Sequence, residues 1–102
     1  MPEDDQKILD SLVAKAIELG AHVLEIEYKD GYEEVYALKG NTGVGIAMLP
    51  SNGSEATILR RQLHDSTRRK RRVSVEGSRY SLRVSEYDSF GETAYRVEIV
   101  AV

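Results

Sequence analysis

The chain contains no cysteine and only two histidines. The missing cysteine excludes a disulfide scaffold, a thiolate zinc site and a cysteine nucleophile together, and it fits a reducing cytoplasm. His22 and His64 stand 42 positions apart without ligand-spaced companions. A metal site needs three or four converging donors, so neither metal nor cofactor is expected. No Gly-x-x-x-x-Gly-Lys-[Ser/Thr] occurs, and with it goes the loop whose amides and lysine cradle nucleotide phosphates. Gly-x-Ser-x-Gly is absent as well. Ser74, Ser78, Ser81, Ser85 and Ser89 have no base and orienting acid close by in sequence. The longest apolar run, Gly43 to Leu49, is far too short to span a bilayer. The opening Met1-Pro2-Glu3-Asp4-Asp5 is acidic where a signal peptide would be basic and then apolar. These features predict a soluble, cytoplasmic protein that does not insert into membranes and is not an enzyme.

What is present suits one domain: 102 residues, 41% hydrophobic and 30% charged. Its net charge of −3 conceals a polarity. Residues 1–55 hold eleven acids and four lysines, a net of −7, while residues 56–102 hold ten Lys/Arg and six acids, a net of +4. Such polarity steers a partner or a second copy, or is neutralised between the halves of one fold.

Ile8, Leu9, Leu12, Val13, Ala16 and Ile17 form one stripe of a helix, with Asp4 or Asp5 to cap it and Gly20 to end it. From Val23 the period becomes two: Leu24, Ile26 and Tyr28 share one face, Glu25 and Glu27 the other. Asp30-Gly31 is a strong type I′ hairpin signal, which returns a second strand over Tyr32 to Leu38. Gly40-Asn41-Thr42-Gly43 turns the chain into a third strand through Val44, Ile46 and Met48. Asn52 with Glu55 reads as a capping box for a second helix bearing Ile58, Leu59 and Leu63 and ending between Ser66 and Lys70. Val73 and Val75 begin a fourth strand, Gly77-Ser78 turns it, and Tyr80, Leu82 and Val84 mark a fifth. After Asp88-Ser89-Phe90-Gly91 a last strand carries Tyr95, Val97, Ile99 and Ala101 on one side. The expected fold is α+β in the order α-βββ-α-βββ, two helices packed on a mainly antiparallel sheet. The halves share almost no identities, so no internal repeat is read.

Residues 16–27, Ala-Ile-Glu-Leu-Gly-Ala-His-Val-Leu-Glu-Ile-Glu, form a helix-Gly-strand junction. They resemble the opening of the N-terminal, pre-motor domain of type II secretion and type IV pilus ATPases. Tyr80-Ser81-Leu82-Arg83-Val84-Ser85, followed by Phe90-Gly91-Glu92, is similar to that domain's last hairpin. The likeness implies a stand-alone relative without the motor, and so without ATP hydrolysis. It also implies that Arg83 stands where the family's arginine reaches nucleotide held by the motor domain. Without a motor, Arg83 is expected to pair across strands with an acid such as Glu98. The chain departs from the family at His22-Val23, where a Ser-Asp stands, and at Glu25, where a histidine stands. It also lacks the Pro-Gln-Asp-Gly-Arg motif after the second helix.

The most unusual segment is basic: Arg60, Arg61, then Arg68, Arg69, Lys70, Arg71 and Arg72. Were the helix to run through it, Arg60, Arg61, His64, Arg68, Arg71 and Arg72 would share one face and could hold phosphates. The same cations also suit a solvated helix end, where they complement the macrodipole. No aromatic residue interleaves with them for base stacking, and the chain as a whole is acidic. Glu25, Glu27, Glu33 and Glu34 gather on the first hairpin and read as solvated strand faces, since acid–base work needs burial or a close partner. Gly40-Asn41-Thr42-Gly43-Val44-Gly45 precedes a strand, so it reads as a turn and not a phosphate loop. The last strand, Tyr95 to Val102, would recruit a second copy if it lay at a sheet edge and would be core if central. The function expected is a protein-interaction or regulatory module, a homodimer through the last strand being one form of it. The alternative is nucleic-acid or polyanion binding through the arginine segment and Arg83.

Overall fold

A computed structural model describes residues 7–102. Its elements are α1 (Ile8–Glu18), β1 (Val23–Lys29), β2 (Tyr32–Lys39), β3 (Thr42–Pro50), α2 (Ser54–Arg68), β4 (Arg71–Val75), β5 (Ser78–Ser89) and β6 (Glu92–Ala101). The protein is α+β: one six-stranded antiparallel sheet in the order β3-β2-β1-β6-β5-β4, with two helices against one face. None of the described helices is long and apolar enough to cross a membrane.

The hydrophobic stripe of α1 buries Leu9, Leu12, Val13 and Ala16, and α2 buries Ile58, Leu59 and Leu63. All of these but Ile58 share one core with Leu24 and Ile26 of β1, Val35 of β2, Leu82 of β5 and Val97 of β6. Each large aliphatic side chain fully buried this way contributes about 1.5–3 kcal/mol. α1 ends as its glycine predicts. Gly20 adopts φ +79, its N–H donates to Ile17 O and that of Ala21 to Ala16 O, the paired bonds of a Schellman cap. Asp30 and Gly31 take φ of 51 and 87, the two left-handed residues a type I′ turn requires.

Several expectations are corrected. α2 is capped by Gly53 with no side-chain capping bond, so Asn52 and Glu55 form no capping box. The N–H of Gly53 closes a turn onto Pro50 O, which starts the helix one residue later. The turn before β5 is Glu76-Gly77, both at positive φ, and β5 runs on to Ser89. The Asp4 or Asp5 cap lies outside the described residues. Among the described residues Gln62 of α2 satisfies one donor at this helix start: its Oε1 accepts the Leu9 N–H at 3.0 Å in a buried setting. The last strand is central. β6 pairs with β1 through Tyr95–Glu98 on one side and with β5 along its length on the other, so it is not an edge strand.

α1 also reports the sheet's curvature. A flat sheet of six strands would be about 24 Å wide, and an eleven-residue helix is about 16 Å long. Yet α1 touches both edge strands, β3 and β4. The sheet therefore wraps around the helices. At the β4 edge Arg71 Nε donates to Asp10 of α1 at 2.8 Å and clasps the two together.

Replacing Gln62 by Met keeps the volume and removes the acceptor. The Leu9 N–H is then buried without its partner, and stability should fall by about 1–2 kcal/mol, measured as a lower urea midpoint at unchanged m value.

Candidate functional site: a basic cleft at the end of α2

The arginine segment is divided by the fold. α2 ends at Arg68, within the expected Ser66–Lys70 range, Arg69 is already extended and β4 begins at Arg71, so the arginines do not share one helical face. Strand pairing requires this: Arg71 faces Leu82 and Arg72 faces Ser81 across the β4–β5 ladder.

Two of the candidate residues are structural. Arg60 Nη1 donates to Glu33 Oε2 at 2.9 Å, and Arg60 Nη2 to Ser51 O at 3.0 Å. Ser51 Oγ donates to the same carboxylate oxygen at 2.9 Å. Glu33 is only 5% exposed, because it lies on the helix-covered face while Glu34 lies on the open one. The reading of Glu33 as a solvated acid is therefore corrected: neighbouring strand residues point to opposite faces, and this one is buried. Arg71 is the second structural cation, held by Asp10. Arg61 is exposed on α2 and does not line the cleft described next.

Arg68, Arg69, Lys70, Arg72 and Arg83 come together. They rim a cleft of about 400 Å³ between the last turn of α2, the start of β4, the middle of β5 and the end of β6. β4 pairs only with Ser78–Leu82, so from Arg83 onward β5 has no strand on that side. The α2–β4 connection crosses there and leaves the opening. Val100 and Val102, exposed, supply an apolar wall, the buried Leu82 and Val84 lie behind the opening, and Ser66, Thr67 and Ser81 supply hydroxyls. Ser66 Oγ already donates to Gln62 O at 2.7 Å and Thr67 Oγ1 to His64 O at 2.7 Å. Arg83 reaches Glu98 at 4.0 Å, the cross-strand pair expected for it, but both side chains are well exposed and the contact is long. Arg68, Arg69, Lys70 and Arg72 make no ion pair with any described residue. Clustered cations repel one another, and an anion in the cleft would relieve that repulsion.

The apolar wall was not foreseen from sequence. Val100 and Val102 reach the cleft only because β6 runs beside β5, with Val100 opposite Ser81 and the Val102 N–H donating to Arg79 O at 3.0 Å. No local pattern announces that long-range pairing.

The open face of the sheet carries Glu25, Glu27 and Glu34. Arg96 Nη1 donates to Glu25 at 2.9 Å, the Tyr36 hydroxyl donates to Glu34, and the Tyr87 hydroxyl donates to Glu27 at 3.3 Å. Burial, then the charges of Glu25 and Glu27, push the Tyr87 phenol up to about 12, and the bond to Glu34 raises Tyr36. Both tyrosines thus stay neutral donors to carboxylates. On the helix side, burial and Glu86 raise Tyr95. His64 lies 3.9 Å from Glu86, and His22 is exposed on the loop before β1. Among the described residues no three histidines, aspartates or glutamates gather as metal ligands would. Neither the protein-family models nor the curated proteins contain a match to this chain.

The two kinds of arginine should separate on mutation. Arg60→Ala leaves the Glu33 carboxylate buried with Ser51 alone. Discounted for the 38% exposure of the Arg60 side chain, the cost should be about 2 kcal/mol. Arg68→Ala should change stability by about 0.5 kcal/mol or less, both read by urea unfolding.

Proposed function

We propose that this chain is a non-catalytic binding module whose basic cleft receives an acidic, partly aliphatic segment of a partner protein. The observation that carries this reading is the cleft's composition. Arg68, Arg69, Lys70, Arg72 and Arg83 rim a cleft whose exposed apolar wall is Val100 and Val102. Carboxylates would take charge-assisted bonds from the arginines, and flanking aliphatic side chains would cover the wall. The cleft has no aromatic lining residue on which a base could stack, and the chain's net charge of −3 does not favour long-range attraction of a phosphate backbone. A protein segment is thus favoured over nucleic acid. The likeness of residues 16–27 and 80–92 to the pre-motor domain of secretion and pilus ATPases supports the same class of role. In that light the chain is a stand-alone relative with Arg83 turned to a protein partner instead of nucleotide. The cysteine-free sequence fits work in a reducing cytoplasm.

Titration of labelled peptides, followed by fluorescence anisotropy, tests the proposal. A peptide of alternating Glu and Leu should bind, more tightly than poly-Glu, with an affinity that falls as salt rises. The triple change Arg68→Ser, Arg69→Ser and Arg72→Ser should weaken it by about tenfold or more. Tight binding of generic single-stranded or duplex nucleic acid, abolished by the same change, would replace this reading with the polyanion one. No binding of either probe at low salt would refute both.

A further inference from the structure

The sheet has two edges, and they are protected very differently. β4 is five residues long, begins with Arg71 and Arg72, and is clasped to α1 through Asp10. β3 is nine residues long, Thr-Gly-Val-Gly-Ile-Ala-Met-Leu-Pro, and carries no charge. An edge strand leaves alternate N–H and C=O groups without a ladder partner, and charged side chains are the usual guard against unwanted pairing. β3 has two partial guards only. Pro50 lacks an N–H at one end, and Ile46 is an extra residue in a bulge, since Val35 pairs with Ala47 and Tyr36 with Gly45. Apolar side chains stand out along it, with Val44 41% and Met48 58% exposed. On the open face Glu34, Tyr36, Gly45 and Met48 border a hollow of about 330 Å³. On the helix side Lys15, Glu18 and Leu19 of α1 border another of about 400 Å³ with Val44 and Ile46.

The geometry points to a second copy of this chain as the occupant of that edge. Two β3 strands would pair antiparallel about a two-fold axis near Ile46, joining two six-stranded sheets into one continuous sheet. Self-pairing suits this edge for three reasons. With no charge on β3, no like charges are set opposite each other, whereas β4 would bring two arginines from each copy into the pairing. An axis between Ile46 and Ala47 pairs residues of the same face: Val44 with Leu49 on the helix side and Gly45 with Met48 on the open side. The protruding Met48 of one copy then lies beside the segment where Gly45 leaves the Tyr36 ring uncovered; a Cβ at Gly45 would lie 3.8 Å from that ring. The third reason is charge complementarity at α1. Lys15 and Glu18 both border the helix-side hollow beside β3, so in a two-fold dimer each copy presents the other with one charge of either sign there. The bulge falls at the axis, between two short ladders. The pairing is independent of the peptide reading, because the basic cleft lies at the β4 edge and stays open in both copies.

Sedimentation velocity across a concentration series tests this. A reversible monomer–dimer equilibrium is expected. Met48→Lys should raise its Kd about tenfold or more, with an unchanged far-UV circular dichroism spectrum, because the side chain is exposed. Lys15→Glu and Glu18→Lys should each weaken the dimer, and the double swap Lys15→Glu with Glu18→Lys should restore it, which a purely local effect on folding would not do. The swap decides the matter if Met48→Lys perturbs the fold. A chain that stays monomeric throughout would overturn the proposal. So would a dimer insensitive to Met48→Lys and to the single charge changes.

Discussion

Four cross-strand pairs join the two halves of this molecule: Val23 with Glu98, Leu24 with Val97, Glu25 with Arg96, and Ile26 with Tyr95. Everything outward of that seam is a local meander, β1-β2-β3 on one side and β6-β5-β4 on the other. Because the first and last strands meet in the middle, the free edges fall to strands from the interior of the sequence. One edge is short and arginine-rich, the other long and uncharged. Closing the seam costs loop entropy over some seventy residues, and that cost is met by burying Leu24, Ile26, Tyr95 and Val97 beneath both helices. With the sheet curled round them, α1 becomes a strut from edge to edge, holding β4 through Asp10 and leaning on β3 with its other end.

The charge polarity of the sequence is partly consumed by that arrangement. Three ion pairs set an acid from the first half against a base from the second: Glu33 with Arg60, Asp10 with Arg71, and Glu25 with Arg96. Of these, the Glu33 pair does the most to order the fold, since its carboxylate is buried and also accepts from Ser51. It ties α2 to the β2–β3 hairpin. The cations that remain at the end of α2 have no such internal partner among the described residues. Complementing the helix dipole accounts for one or two cations in the last turn, but not for five around one cleft.

Local chemistry in the sequence carried much of the architecture. Hydrophobic period located both helices and all six strands, and Gly20 and Asp30-Gly31 behave as their backbone freedom demands. The misplaced features share a cause. Phe90 takes a left-handed φ of 52 in the β5–β6 turn, and Glu76 one of 49 before β5, where neither residue type favours it. Strand pairing outweighs turn preference at both places and lengthens β5. Glu33 and Glu34 looked alike as neighbouring acids, yet the parity of β2 buries one and exposes the other. For the cleft, the cations were legible as a run, but the run had to be cut at Arg69 before Arg83 could join it. The apolar wall depends on β6 lying beside β5, a pairing that no local pattern encodes. The position of β6 itself, edge or centre, was undecidable from composition, because an apolar alternating strand suits either place.

Native-state hydrogen exchange at low protein concentration tests the central seam most directly. The account predicts the slowest amides in β1 and β6, exchanging only with global unfolding, while the outward amides of β3 and β4 exchange first. Rapid exchange along β6, with the greatest protection in β3 or β4, would contradict it.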